Sequence, residues 1–319
     1  MERFKKILCY VGGSADPAPG LNEAVALAKS NNAQLTLIDV LPESTKAPWP
    51  TLAAKPDLEK VLVSSRTQDL VEMAAEARRS GLQVKTVVTM GSPFVELIRC
   101  VVVDGHDLVV KTAQGNDNRL GGLLGTTALH LMRKCPAPVW VVKPASSDQF
   151  DRVVAAVDPK VDEPGVDPLS VKVLELASSL AARSNRKLEV VHAWWLPSES
   201  MLRGRRINLP AAEIDGLLRE MRGTAERSLD ALAERVDLSR VQSEVHLLKG
   251  RPDEVIGEFA AHADLAVMGT LSRSGGEGLL IGNTAERVLR QVDCSVLAVK
   301  PDGFRTPLRF EGALAGTAA

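Results

Sequence analysis

The chain has 319 residues, with 39 basic and 40 acidic side chains and a formal net charge of −1. That length suits two domains of ordinary size, and the balanced charge excludes both a globally basic nucleic-acid surface and a dominating acidic tail. Hydrophobic residues make up 45% of the chain but aromatics only 3%, so the core is aliphatic, as suits helices packed on a parallel sheet.

The N-terminal MERFKKILCYVGG starts basic but lacks the long apolar region and small-residue cleavage site of a signal peptide. No apolar run approaches the roughly 20 residues that span a bilayer. The expectation is a cytoplasmic protein without a membrane span. Cys9, Cys100, Cys135 and Cys294 form no CxxC pair and do not cluster with the five histidines. They read as small buried hydrophobes in a reduced compartment, with no redox cofactor.

In chain order, KKILCYV opens the first half as a strand and PVWVVK closes it, with the Pro-rich APWPTLAAKP between them as a flap-like loop. A short linker follows near Pro144 to Gln149. RVVAAVD, residues 152–158, is a continuous apolar run typical of a strand buried on both faces. A turn containing Pro164 and Gly165 leads to VDPLSVKVLELASSLAARS, which has helical spacing. KLEVVHAW is the second strand. AAEIDGLLREMRGTAERSLDALAERV is a long amphipathic helix with Leu217, Met221, Leu229 and Leu232 on one stripe. VQSEVHLL alternates as a third strand, and RPDEVIGEFAAH starts a helix with Pro near its first turn. DLAVMG is the fourth strand and SVLAVK the fifth. Residues after Lys300 show no period and read as a surface extension. The domain boundaries expected are 1–146, 147–303 and a tail at 304–319.

The two halves share this plan. Asp107-Leu108-Val109-Val110 matches Asp264-Leu265-Ala266-Val267, and Arg133 with Val139 matches Arg290 with Val296, each shifted by 157 residues. MGSPFVELI likewise echoes KGRPDEVIG. Strands alternating with helices imply a doubly wound parallel sheet in each half. Ligands of such sheets bind beyond the C-terminal strand ends, where strand order reverses. The first and fourth strands flank that point and end here at Val157-Asp158 and Met268-Gly269. The stretch VMGTLSRSGGEGLLIGNTAERVL, from Val267 to Leu289, therefore lies where a ligand would sit.

Gly269, two residues, Ser272, nine residues, Gly282 and Asn283 resemble the phosphate loop of the universal stress protein family. Its nucleotide-binding form reads Gly, two residues, Gly, nine residues, Gly, then Ser or Thr. VMGT, NTAERVLR and GRPDEVI fit the surrounding pattern, and the resemblance covers nearly the whole chain twice, as in tandem two-domain members. It implies two Rossmann-like domains, each with five parallel strands in the order 3-2-1-4-5 and four helices. It also implies packing through the last strands, PVWVVK and SVLAVK, as a covalent pseudo-dimer.

The resemblance further implies a nucleotide site in the second half, for ATP or ADP. A phosphate cradle needs exposed backbone N–H groups, and Gly permits both the close approach and the torsions. A helix N-terminus adds N–H donors and partial positive charge. Gly269 turns the chain at the strand end, between Met268 and Thr270. Ser272 replaces the family's second Gly and carries a Cβ, and Arg273 reaches toward phosphate. Gly282 opens the helix, Asn283 stands in for a hydroxyl donor, and Thr284 follows. Asp158 matches the family's acid near phosphate and Mg²⁺. Ala193 matches the position whose backbone reads the adenine edge. The first half is weaker. Thr112 takes the place of Gly269 and Lys111 that of Met268, Gly115 and Gly125-Thr126 are kept, and Gly12 stands where Asp158 stands, so the acid is missing. Lys111 is expected to be half buried or to face solvent.

Other features have blander readings. Of Trp194 and Trp195, at most one joins the core, because adjacent strand residues face opposite ways. LRGRR, residues 202–206, reads as a solvated basic loop. His130 sits in the last helix of the first half, and His192, at a strand end, is the histidine best placed for a ligand. No GxSxG, HExxH or GxxxxGK[ST] motif occurs. The expected function is a cytoplasmic stress-response binding module rather than a catalyst, with weak ATPase activity left open. The alternative is a non-nucleotide scaffold acting through protein partners or a homodimer of tandems, its loop empty or holding another anionic or amphiphilic ligand. Nothing marks a nucleic-acid interface.

Overall fold

Aliphatic runs separated by Gly, Pro and Asn become parallel strands and covering helices in the computed structural model, which describes residues 3–43, 56–113, 125–144, 151–159, 161–162, 165–204, 207, 209–270, 282–292 and 294–310. The first half contains β1 (Lys6–Tyr10), α1 (Ala18–Asn31), β2 (Gln34–Leu41), α2 (Pro56–Arg79), β3 (Val84–Met90), α3 (Pro93–Asp104), β4 (Leu108–Thr112), α4 (Thr126–Lys134) and β5 (Val139–Val142). The second half continues with β6 (Arg152–Ala156), the two-residue strands β7 (Val161–Asp162) and β8 (Gly165–Val166), α5 (Pro168–Arg183), β9 (Lys187–Trp194) and α6 (Glu199–Leu202). It ends with α7 (Ala211–Ala233), β10 (Ser243–Lys249), α8 (Pro252–Ala260), β11 (Leu265–Gly269), α9 (Asn283–Gln291) and β12 (Ser295–Val299).

The described residues divide into two units, 3–144 with 295–310 and 151–270 with 282–294. In the first unit the strands run β3-β2-β1-β4-β5, all parallel. This is the order 3-2-1-4-5. The last strand of the second repeat, β12, lies antiparallel beside β5, with Val296, Leu297 and Ala298 opposite Val141, Trp140 and Val139. In the second unit the order is β10-β9-β6-β11, again parallel, which is 3-2-1-4 of the same plan. The central strands are apolar on both faces. Ile7, Leu8, Cys9, Val109 and Val110 in the first unit, and Val154, Ala155 and Val267 in the second, are fully buried, as expected for a sheet covered by helices on both sides.

The sequence repeat has a structural cause at three places. At the foot of the fourth strand, Asp107 accepts the backbone N–H groups of Lys5 at 2.6 Å and Lys6 at 3.1 Å. Asp264 accepts that of Arg152 at 2.8 Å. After the first helix of each half, Asn32 (φ 47°) and Asn185 (φ 52°) adopt left-handed backbone, a conformation Asn tolerates better than most residues. At the end of the third strand, Gly91 (φ 139°) and Gly250 (φ 148°) donate their N–H groups to Leu41 and Trp194, both at 2.9 Å.

Two details depart from the sequence reading, the stripe of α7 and the burial of Lys111. The buried stripe of α7 consists of Ile214, Ala225, Ser228, Leu229 and Leu232, while Leu217 is 40% exposed; α7 covers the sheet with its start and its later turns, and Leu217 lies off that line. Val161 lies opposite Val166 in the small β7–β8 hairpin; Pro164, where the sequence placed a turn, lies outside the described residues. Trp194 and Trp195 are both only half-buried, in keeping with at most one of them joining the core. Lys111 is 2% exposed, because β4 is buried along its whole length. Its ammonium donates to the Thr112 carbonyl at 2.6 Å. Beyond β12, Phe310 lies 5.8 Å beneath the Arg99 guanidinium, so this part of the tail rests on the first unit.

Two outcomes follow from these positions. A Cβ at Gly250 would overlap the Val255 side chain at a φ of 148°, so Gly250→Ala is expected to cost about 1–3 kcal/mol of stability, read by urea denaturation. Burial holds the Lys111 amine at about pKa 8, against roughly 10.4 when unfolded. Between those values the unfolded chain binds more protons, so stability rises with pH through that window. Lys111→Met places there the residue found at position 268. It is expected to be more stable than the parent at pH 7 and to lose that advantage progressively between about pH 8 and 10 in parallel denaturation curves.

Candidate functional site

The C-terminal ends of β6 and β11 lie side by side, with Met268 opposite Ala156. Beyond β6, the N–H of Val157 donates to the Val191 carbonyl at 3.0 Å. The Val157 carbonyl lies 3.1 Å from Nδ1 of His192; a carbonyl only accepts, so Nδ1 carries the proton. His192 is thus turned to the backbone and is 8% exposed.

Asp158 follows, exposed at the strand end. Its N–H donates to Ser170 Oγ at 3.3 Å. Both the Ser170 N–H and its hydroxyl donate to Asp167 Oδ2 at 2.9 Å. Asp167 caps α5, so one side-chain relay fixes that helix start beneath the end of β6. The fit is tight: a Cβ on Gly269 would stand 2.8 Å from Leu169 Cδ2.

The other wall is the start of α9. Gly282, its buried N-cap residue, donates its N–H to the Thr270 carbonyl at 3.2 Å. That bond ties the two ends of the Gly/Ser-rich loop together, and Thr270 is fully buried beneath it. Asn283 and Thr284 form the first turn of α9. Met268 and Ala193 are 4% and 8% exposed, at the same end of the second unit's sheet. The structure therefore brings together Asp158, Ala193, Met268, Gly269, Thr270 and Gly282 with the backbone of residues 283 and 284. Ser272 and Arg273, and the side chains of Asn283 and Thr284, lie outside the described residues.

Around these strand ends lies an ion-pair belt that sequence reasoning missed. Asp253 in the first turn of α8 accepts from Arg287 at 2.7 Å and from Arg251 at 3.0 Å. Burial pushes its carboxyl up, but the Arg287 and Arg251 hydrogen bonds outweigh that and hold it below the usual range. Arg251 also lies over the Trp195 ring, 5.9 Å from its centroid. Lys249 lies 5.9 Å over Trp194 and pairs with Glu199 at 3.0 Å. The GRPDEVI motif contains Arg251 and Asp253, which pair with each other, but Arg287 and Trp195 reach them from other elements and no local pattern announces those contacts.

Two other clusters are structural. Glu189, Glu244 and His246 bring possible ligand atoms within 4.8 Å of one another, yet Arg152 and Lys187 pair with the carboxylates. His130 stacks on Phe94 with ring centroids 4.4 Å apart, and burial together with Lys134 lowers its pKa. In the first half Thr112 replaces Gly269. Its hydroxyl accepts from the Gly20 N–H at 2.9 Å and donates to the Pro17 carbonyl at 3.0 Å. Among the described residues no helix is long and apolar enough to cross a membrane.

The model of the universal stress protein family matches residues 3–143 and again 149–300. Universal stress protein E of Escherichia coli K12 is 28% identical over 319 residues, covering 98% of each chain. Among solved structures, a protein of unknown function from Pseudomonas aeruginosa PAO1 superposes with a TM-score of 0.68 at 23% identity, covering 94% of each chain. A universal stress protein from Archaeoglobus fulgidus gives 0.60 at 16% identity, covering 92% of this chain and 98% of that one. The doubled strand plan, the paired local devices and the two family matches make this chain a tandem, two-domain member of the universal stress protein family.

Proposed function

We propose that the second half binds an adenine nucleotide, ATP or ADP, and that the protein acts as a regulatory binding module rather than a catalyst. The observation that carries this reading is the Gly282–Thr270 bond beside Gly269. It sets the N-terminus of α9 against a strand end whose side chain has been removed. N–H groups of that first turn, together with the positive end of the helix dipole, suit phosphate. The exposed carboxylate of Asp158 suits a Mg²⁺ ion held through that phosphate, and the backbone at Ala193 suits the adenine edge. The groups gathered there bind and orient; none is a nucleophile held by its base. Nucleotide would then bias partner choice or self-association in the cytoplasmic stress response.

A ligand that binds only the folded chain stabilises it, by about 2.7 kcal/mol at 100 times its Kd. Melting is therefore expected to rise with added ATP and Mg²⁺, and native mass spectrometry is expected to show one nucleotide per chain. Asp158→Ala should weaken the Mg²⁺-dependent part of the rise, measured from that variant's own nucleotide-free melt. A protein that purifies empty and melts identically with and without ATP and Mg²⁺ would transfer the case to a scaffold that acts through partner proteins.

A further inference from the structure

By sequence, the first half has lost the acid that Asp158 supplies in the second, because Gly12 stands in its place. The structure restores an acid from another strand. A Cβ on Gly12 would overlap Oδ1 of Asp39 and stand 2.8 Å from Cε2 of Tyr10. The space that a side chain at position 12 would need is therefore already filled by a carboxylate. Asp39 is the sixth residue of β2, and its counterpart, the sixth residue of β9, is His192. His192 turns to the Val157 carbonyl. Asp39 instead pairs with Nε of Arg66 from α2 and accepts the Val40 N–H at 2.8 Å.

Arg66 is held at a second point, with its NH1 3.1 Å from Asp69 Oδ2. The Asp39 side chain is only 7% exposed and that of Arg66 25%. The Tyr10 hydroxyl beside them is pushed up to about 12, by burial first and by the Asp39 charge second, so it remains a neutral neighbour. A phosphate arriving here meets a buried carboxylate whose counter-charge is already committed. Removing Arg66 alone would leave that carboxylate uncompensated, which is costly for a buried pair. Yet the opposite wall keeps the Gly-Thr pair of the sequence pattern: Gly125, at φ 80°, leads into Thr126 at the start of α4.

We infer that the Asp39–Arg66 pair is a specificity device that shuts the first half to nucleotide, so that the chain takes one nucleotide rather than two. The inference rests on the second half being a nucleotide site. Arg66 acts as a resident cation, and Asp39 sets the sign of charge that the pocket accepts.

The test is native mass spectrometry of the full chain with ATP and Mg²⁺, comparing the parent with Asp39→Ala/Arg66→Ala. Deleting both charges avoids an unpaired ion, and a cooperative melt confirms that the variant folds. If it does not fold, Asp39→Asn/Arg66→Met serves in its place and the same counts decide. The expected result is one nucleotide on the parent and two on the variant. None on the parent and one on the variant would keep the block and remove the second-half site. One on both, two on the parent, or none on either would overturn the block.

Discussion

The register between the first and fourth strands is the constraint on which the rest of each half depends. In both halves it is set at the foot of the fourth strand by an Asp side chain. Asp107 reaches the backbone of Lys5 and Lys6, and Asp264 that of Arg152. Because side chains alternate along a strand, a slip of one residue would carry every core residue to the opposite face of the sheet, against the wrong covering helices. It would also move Asp158 relative to Gly269, so that the strand ends no longer formed one site. The same carboxylate therefore serves packing at the bottom of the sheet and geometry at the top.

The tops of the strands are built from backbone as much as from side chains. Gly91 and Gly250 stand at φ values open only to glycine, and each gives its N–H to the end of the neighbouring strand. Gly269 leaves room for Leu169, and Gly282 closes the loop onto Thr270. Such positions are legible in a sequence because one residue type alone satisfies them. The repeat and the strand end at Asp158 were legible because periodicity and turn chemistry are local; the strand order came with the family resemblance. What was not legible involves partners far apart in the chain. Arg287 reaches back 34 residues to Asp253, and Arg66 reaches back 27 to Asp39. The exposure of Leu217 and the burial of Lys111 likewise depend on which neighbours cover α7 and β4, which no period records.

The two halves share a frame and differ in the sign and placement of charge. Where the second half has Met268, the first buries Lys111; where the second ends its strand in Gly269, the first has Thr112 bonded to the start of α1. Where the second exposes Asp158, the first draws Asp39 inward and neutralises it with Arg66. Each exchange leaves the first half with a polar group turned to the protein. Buried polar groups are stabilising only when partnered, so each exchange required a second residue: the Thr112 carbonyl for Lys111, Pro17 and Gly20 for Thr112, Arg66 for Asp39. A half that satisfies its own polar groups has fewer left to offer a ligand. That is the physical basis for the proposal that one fold holds an open site and a closed one, with structure carried by the first half and recognition by the second.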